Sequence, residues 1–388
     1  MSILLESRVS RAPMAALAAV GVFWGGFAAY VPDIKAAAGA SDRDFGLALI
    51  LSAVGGIAAM LLAPHYGTRA GRLALPVSGA MLVPAFGLPL FGQSVPALAL
   101  ALFGMGAAVS LLDITANVRI SMLEARHRLH LMNLNHAMFS FAFGGSALVA
   151  SLLRRSGQGP EVALPLLALA VVALAAVMVE RDWQPAPEAP PGADRRAPWA
   201  AILPAAAILF AAFISENATE AWSALHIERT LGGPAGDGGF GPMMLGLTMG
   251  VGRMTGQFAA RRLGEPALVF WSACVGVMGA LVIAAAPAPW VAVAGVGLVG
   301  LGVAVVVPSA NSILGHLVRP DQRAVAISRA WMIGFTGFFI GPSAMGLIAQ
   351  TAGLRLAFVA VALMLGSIVV SVTVLGRRGR QAEAVSRP

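Results

Sequence analysis

The sequence predicts an all-α membrane protein with twelve transmembrane helices in two pseudo-symmetric six-helix bundles. Apolar side chains make up 58% of its 388 residues and charged ones only 11%, whereas an ordinary soluble chain carries roughly 25% charged residues. Apolar runs of ~20 residues recur along the chain, and each is long enough to cross a hydrocarbon core of ~30 Å as a helix. One Pro-rich polar segment separates two sets of six such runs. A soluble enzyme, a disordered chain and a secreted disulfide scaffold are therefore excluded.

The spans are predicted to be helices because their apolar runs are continuous and do not alternate, as the strands of a membrane barrel would. The run from Ala12 to Val31 is longer than the apolar part of a secretory signal and is followed by many others, so it is assigned as the first span. The twelve predicted spans are 13–33, 45–64, 73–91, 96–118, 132–153, 162–180, 199–224, 240–259, 266–286, 290–314, 325–349 and 356–376.

The longest polar interruption contains Gln184-Pro-Ala-Pro-Glu-Ala-Pro-Pro-Gly192 and two arginines, a composition typical of a semi-rigid linker. The flanking halves are weakly alike, since Phe143-Gly-Gly-Ser-Ala-Leu148 corresponds to Ile340-Gly-Pro-Ser-Ala-Met345. Two parallel repeats around a central cavity are the plan of a rocking transporter. The predicted units are an N-terminal bundle at 1–180, a cytoplasmic linker at 181–198, a C-terminal bundle at 199–376 and a basic cytoplasmic tail at 377–388.

Basic residues are distributed unequally between the two sides of the predicted bundles. Of the 26 Lys and Arg residues, 18 lie on the side of the termini, six lie in the opposite loops, and Arg253 and Arg329 lie within spans. Because basic loops stay in the cytoplasm, both termini are predicted to be cytoplasmic. This asymmetry accounts for the net charge of +8 without a nucleic-acid partner. The chain is predicted to be a monomer, and its predicted partners are the lipid bilayer, protons and a small-molecule substrate.

The sequence carries no motif for bound cofactors or metals. Cys274 is the only cysteine and lies in an apolar run, so neither an intramolecular disulfide nor a thiolate metal site is expected. It has no phosphate-binding loop of the Walker type and no HExxH motif. We therefore predict no cofactor, no metal and no enzymatic activity.

The loop Pro64-His-Tyr-Gly-Thr-Arg-Ala-Gly-Arg72 resembles a degraded copy of the cytoplasmic signature of the major facilitator superfamily. It retains Arg69, Gly71 and Arg72, which the resemblance implies to be residues of a conformational loop. Thr68 stands where the superfamily carries an aspartate, a departure that bears on the charge relay attributed to this loop in relatives. The resemblance covers essentially the whole chain and implies the superfamily's fold.

Three further stretches are similar to bacterial permeases related to rhizopine-transport proteins and, more distantly, to fucose permease. In these relatives an acidic residue precedes the tryptophan of the third stretch, whereas Ala221 precedes Trp222 here and the second acid is Glu220. The pattern indicates the family without specifying the substrate. The stretches are Phe27-Ala-Ala-Tyr-Val-Pro-Asp-Ile-Lys35 with Ser41-Asp42 and Phe45-Gly-Leu-Ala-Leu49; Leu111-Leu-Asp-Ile-Thr-Ala-Asn117 with Glu124, Met132, His136 and Phe139-Ser140; and Glu216-Asn-Ala-Thr-Glu-Ala-Trp-Ser223 with Gly252-Arg253.

Acidic side chains within lipid are candidate functional groups, because an ionisable residue costs ~2.5–3.5 kcal/mol or more at a helix centre. Asp113 lies on the fourth span, which lines the cavity in superfamily members, with Asn117 one turn further on the same face. Glu216 and Glu220 share a face of the seventh span and repel each other when both are ionised. Burial and neighbouring like charges favour protonation of carboxyl groups, so these three acids are predicted to couple proton movement. The alternatives are that Asp113 pairs with Arg119 or backbone donors, and that Glu220 lies at the wet outer end.

A second set of residues is predicted to contact the solute. Arg253 and Arg329 are placed to pair with an acid across the halves or to clamp an anion, or else they snorkel to the inner interface. Trp24 and Tyr30 belong to an aromatic stripe that either packs against neighbours or stacks on a sugar ring. His136 is either a solute ligand or a capping group at a helix end. The predicted substrate-binding set is Trp24, Tyr30, Asn117, His136, Trp222, Arg253 and Asn311.

Asp33 lies at the outer end of the first span. Pro32 is predicted to end that helix. Asp33 then falls where fucose permease has an important aspartate, or it is an ordinary loop charge.

Together, these features predict a secondary transporter of a small polar organic solute, such as a sugar or sugar derivative. It would work by alternating access as a proton-coupled symporter. One alternative is a proton-coupled efflux antiporter of an amphipathic compound, and another is a non-transporting sensor or membrane-embedded enzyme on the same fold. Two features weaken the efflux alternative. Drug antiporters commonly carry an arginine four residues before a Gly-x-Gly in the fourth span, where Leu100 precedes Gly104-Met-Gly106 here. Their Gly-Pro pair in the fifth span is replaced by Gly144-Gly145.

Overall fold

Almost every described residue lies in a helix, as the continuous apolar runs predict. The computed structural model describes residues 3–129, 131–180, 198–319 and 322–386, so most of the predicted linker at 181–198 lies outside the described residues. A short helix, Ile3–Val9, precedes the first half. The helices of the first half are α1 (Arg11–Ala37), α2 (Asp42–Ala70), α3 (Ala74–Ala85), α4 (Val95–His127), α5 (Met132–Arg155) and α6 (Pro160–Val177).

The second half repeats this arrangement. Its seventh helix is prolonged by a π-helical turn at His226–Thr230, and α12 continues through residue 386, into the predicted tail. The helices are α7 (Trp199–Leu225), α8 (Phe240–Leu263), α9 (Glu265–Ala285), α10 (Pro289–Val303 with Val306–Leu317), α11 (Arg323–Gly334 with 336–352) and α12 (354–386).

Local sequence explains several of the helix boundaries. Ser41 begins α2 with a capping box, in which its hydroxyl accepts from the Asp44 amide at 3.1 Å and the Asp44 carboxylate accepts from the Ser41 amide at 3.4 Å. Gly264 separates α8 from α9 and Gly353 separates α11 from α12, and both adopt the positive φ that glycine tolerates. The helical stretch containing Gly353 has 51 residues, or ~75 Å at 1.5 Å per residue, enough for two crossings.

The prediction that Pro32 ends the first span is wrong. Helix α1 continues through Pro32 to Ala37, and Asp33 therefore lies inside the helix. A proline removes one backbone hydrogen bond, and a membrane helix packed between neighbours tolerates that loss.

Ten helices among the described residues are long and apolar enough to cross a membrane. One of the ten, Val325–Leu375, contains both α11 and α12. Helix α8 packs alongside the others but is less apolar, because it carries Arg253, Arg261 and Arg262. The predicted fold class of twelve transmembrane helices in two bundles is confirmed.

The same helix pairs form the core of each half. The first helix packs on the fifth, the second on the fourth and the third on the sixth, and in the second half these contacts recur as α7 with α11, α8 with α10 and α9 with α12. The two halves meet mainly through α5 with α8 and α2 with α11. A Cβ added to Gly246 of α8 would lie 2.6 Å from the Gly144 nitrogen of α5, so these two backbones touch.

The helices alternate in direction, so the bundle has two ends. We call the end that carries the start of α1 the terminal end. The opposite end, which carries the connections 38–41, 92–94, 156–159, 231–236 and 286–288, is called the far end.

Candidate functional site

Polar side chains form a line of hydrogen bonds from α4 through α5 to α8, and an ion pair extends it to α7. Asn117 Nδ2 donates to the Asp113 carbonyl oxygen at 2.9 Å, which leaves Asn117 Oδ1 to accept from His136 Nε2 at 2.9 Å. Arg253 Nη1 donates to the His136 carbonyl oxygen at 3.2 Å and to Ser140 Oγ at 2.5 Å. Arg253 Nη2 lies 3.6 Å from Glu216 Oε1. We call these residues, together with Glu220 one turn from Glu216 on α7, the central polar line, which comprises Asp113, Asn117, His136, Ser140, Arg253, Glu216 and Glu220.

Arg253 joins the two halves within this line. It lies on α8 of the second half, seven residues or about two turns beyond Gly246, where α5 and α8 touch. Its side chain is only 14% exposed and that of Glu216 only 12%, so the pair is shielded from water and from salt. The planar guanidinium group can contact three acceptors at once in fixed directions. The donors of a lysine ammonium group are rotatable and less directional.

Two carboxylates of the central polar line have no cation beside them. The ion pairs formed by the described residues include neither Asp113 nor Glu220. Arg119, the alternative partner considered for Asp113, instead has its Nε 3.0 Å from Glu180 Oε2. Glu220 lies one turn nearer the far end than Glu216 and is half-buried. Both carboxylates are therefore available to bind a proton or a solute.

The structure places Tyr30 and Trp222 outside the central polar line. Tyr30 is fully buried, and its hydroxyl donates to the Gln158 carbonyl oxygen at 2.8 Å. Trp222 is also fully buried and packs edge-on against Phe45 of α2, with ring centroids 5.8 Å apart. Both aromatic residues thus pack between helices near the far end, and their contact with substrate stays a prediction.

Trp24, Asn311 and Arg329 also lie apart from the line. Trp24 is half-buried within an aromatic cluster on α1. Asn311 Oδ1 accepts from Trp331 Nε1 at 3.0 Å. The Arg329 guanidinium lies 5.3 Å from the centroid of the Trp199 ring at the terminal end of α7, the position expected of a snorkelling arginine.

The predicted conformational loop is anchored by a residue of α4. Arg69 and Arg72 are exposed, and Gly71 has a φ of 53°. The Gly71 carbonyl oxygen accepts from Arg119 Nη2 at 2.8 Å, while Arg119 also pairs with Glu180 after α6. Sequence reasoning missed Glu180, because an acid at the end of a span is ordinarily a solvated charge.

Sequence reasoning also missed a group of ion pairs at the far end. Asp42 Oδ1 and Oδ2 accept from Arg229 at 2.5 and 2.6 Å, and Asp42 Oδ1 lies 3.1 Å from Lys35 Nζ. Arg154 contacts both Asp33 and Glu228. The available signal was the occurrence of acids and bases together in the same predicted outer segments. We call this group the far-end ion cluster, which comprises Asp33, Lys35, Asp42, Arg154, Glu228 and Arg229.

Two pseudo-symmetric bundles with a buried polar line between them define a multi-pass membrane transporter. The Major Facilitator Superfamily profile matches residues 14–297. The chain belongs to this superfamily, as the resemblance of its motifs implied, and is accordingly a transporter and not an enzyme.

Relatives with similar sequences extend over nearly the whole chain. An uncharacterized MFS-type transporter from Yersinia pestis is 26% identical over 92% of this chain and 93% of its own length. The membrane protein MosC of Rhizobium meliloti is 23% identical over 94% of this chain and 89% of its own length. Both relatives therefore match over residues of both halves.

Solved structures show the same fold at low identity. A bacterial homologue of the human lysosomal transporter Spinster, in an inward-facing and unoccupied conformation, has a TM-score of 0.68 and 13% identity, covering 97% of this chain and 99% of its own. The nucleoside transporter NupG has a TM-score of 0.69 and 12% identity, covering 95% of this chain and 98% of its own. At these identities the likeness establishes the fold alone.

Proposed function

We propose that this protein is a proton-coupled symporter that moves a small polar organic solute, such as a sugar or sugar derivative, across the bacterial inner membrane by alternating access. The central polar line is the observation that carries the proposal. It reaches into both halves through Arg253, and it leaves the carboxylates of Asp113 and Glu220 without a cationic partner. Hydroxyl-bearing solutes and protons are the ligands that such a mixture of acids, amides and one guanidinium group suits.

The proposed orientation places the terminal end in the cytoplasm. The unequal distribution of basic residues supports it. The far end is joined across the two halves by the pairs Arg154 with Glu228 and Asp42 with Arg229. We therefore interpret the structure as an inward-facing conformation with the far end closed.

Coupling is proposed to work through competition for the central polar line. Protonation of Asp113 or Glu220 removes negative charge from the path between the halves. A solute that binds only when these groups are protonated then shifts the equilibrium between the two conformations by its differential affinity. Asn117, His136 and Arg253 supply directed hydrogen bonds to the solute.

The proposal is tested with purified protein in proteoliposomes. A thermal-shift screen against sugars, inositol derivatives and organic acids first identifies a solute that binds. Its uptake is then measured with an imposed pH gradient, acid outside, and with a protonophore as the control. Accumulation that requires the gradient and is lost with the protonophore supports symport.

The two alternatives give different results in the same assay. An antiporter accumulates its compound when the gradient is reversed, and amphipathic compounds dominate the thermal-shift hits. A sensor binds a solute but moves neither it nor protons. Either result would replace the symport proposal.

A further inference from the structure

The far-end ion cluster contains two buried charges that each have one partner in their own half and one in the other half. Asp42 is paired with Lys35 of the first half at 3.1 Å and with Arg229 of the second half at 2.5 Å. Arg154, also of the first half, contacts Asp33 of its own half and Glu228 of the second half. Asp42 and Arg154 are both buried, with 6% and 7% of their side chains exposed.

Glu228 and Arg229, the partners in the second half, also have charge compensation that does not depend on the first half. Glu228 Oε1 accepts from the amides of Gly236 and Gly238 at 3.0 Å each, and both donors belong to its own half. Arg229 is 44% exposed and can be hydrated by water. If the two halves separated at this end, each charge would therefore retain a partner or gain solvent.

This arrangement lowers the cost of opening the far end. Removing one partner of a buried ion pair is strongly destabilising, because it leaves an uncompensated buried charge. Here Asp42 keeps Lys35, Arg154 keeps Asp33 and Glu228 keeps two backbone donors. The closed state gains the contacts between halves, and the open state loses no charge compensation within either half.

We propose that the far-end ion cluster is a competitive latch, in which partners from the same half and from the opposite half compete for Asp42 and Arg154. The proposal rests on the alternating access proposed above. The latch predicts that two classes of substitution shift the equilibrium between open and closed far end in opposite directions. Removing a partner in the opposite half favours the open far end, whereas removing a partner in the same half leaves the buried charge dependent on the other half and favours closure.

Four single substitutions test the two buried charges. Arg229→Gln and Glu228→Gln are expected to lower the ratio of closed to open far end, and Lys35→Gln and Asp33→Asn to raise it, each by roughly three- to tenfold. Glutamine at position 228 still accepts from the two backbone amides, so the loop is preserved. Lys35→Gln is also combined with Glu228→Gln, so that a return to the closed state is visible even if the parent protein is almost fully closed.

The population of each state is measured by electron paramagnetic resonance distances in lipid nanodiscs. Spin labels are attached at Ala36→Cys on the first half and Ala235→Cys on the second, both exposed positions, in a Cys274→Ala background. The matched control is Asp237→Asn, which removes another pair between the halves, with Arg155 at 3.5 Å. Because Arg155 is 52% exposed, loss of this pair is expected to change the distance distribution by less than twofold.

The outcomes separate the latch from alternating access. Opposite shifts for the two classes of substitution, with restoration in the double variant, support the latch. Two distance populations whose ratio moves in the same direction for all four variants, or does not move, overturn the latch and leave alternating access intact. A single unchanged distance in the parent and every variant, including at different pH values, contradicts both proposals.

Discussion

At the scale of single residues, Arg253 joins two helices in the interior of the bundle. It contacts Glu216 on α7 and the Ser140 hydroxyl and His136 carbonyl oxygens on α5. A lysine keeps the charge but cannot present the same planar fork to acceptors on two helices. The contacts that Arg253 makes with α5 and α7 therefore depend on the planar shape of the guanidinium group as well as on its charge.

We predict that Arg253→Lys lowers solute uptake by about 10-fold or more, because the acceptors on α5 and α7 lose their shared donor. Initial uptake rates in proteoliposomes measure the effect. Arg261→Lys, at an exposed position of the same helix, is the matched control and should transport normally. Normal uptake by both variants would remove Arg253 from the proposed mechanism.

Asp113 is predicted to carry a transported proton. Asp113→Asn mimics the protonated group and is expected to abolish proton-driven accumulation while preserving exchange of solute between the two sides. Counterflow and gradient-driven uptake are compared in the same proteoliposomes, with Asp237→Asn at the far end as the control. If the variant retains the pH dependence of the parent protein, the proton acts elsewhere.

At this scale, the sequence identified charged residues within apolar runs, because burying a charge in lipid has a high free-energy cost. Asp113, Glu216 and Arg253 were recognised because each lies inside an apolar run, and the structure brings Glu216 to Arg253 and Asn117 to His136. Their roles in transport remain predictions. Ser140 was not selected as a site residue because a hydroxyl group carries little cost in a helix, so its contact with Arg253 depends on the packing of α5 against α8.

At the scale of helices, the contact of α5 with α8 positions the central polar line. We predict that Gly246→Ala destabilises the protein by about 1–3 kcal/mol, because its Cβ would approach the Gly144 nitrogen too closely. Thermal unfolding in detergent measures the loss. Gly145→Ala is the control, since a Cβ there meets nothing within 4 Å and helix propensity favours alanine by ~1 kcal/mol. Equal stability of the two variants would contradict the close approach of α5 and α8.

The helices themselves were largely predictable, because a run of ~20 apolar residues has few alternatives in lipid. Their ends were less so. Helix α4 extends to His127, nine residues beyond its predicted end, and α1 passes through Pro32. A hydropathy window detects only the apolar part of a helix. It cannot show that a helix continues beyond the lipid or that packing against neighbouring helices lets it pass through a proline.

At the scale of the whole molecule, the two halves make contacts of different kinds. At the far end they exchange ion pairs, whereas at the terminal end Arg119 binds Glu180 and Gly71 within one half. The sequence predicted two bundles but not the ion pairs that join them at the far end, because these depend on how Arg154, Glu228, Asp42 and Arg229 are brought together. Alternating access requires the far-end contacts to be reversible.

The most direct test of the proposed symport is the pH of a lightly buffered medium when a binding solute is added to protein-containing vesicles. The proposal predicts alkalinisation that depends on solute, saturates with its concentration and is absent in Asp113→Asn vesicles. Accumulation of the solute without a change in pH, or with acidification of the medium, would contradict it.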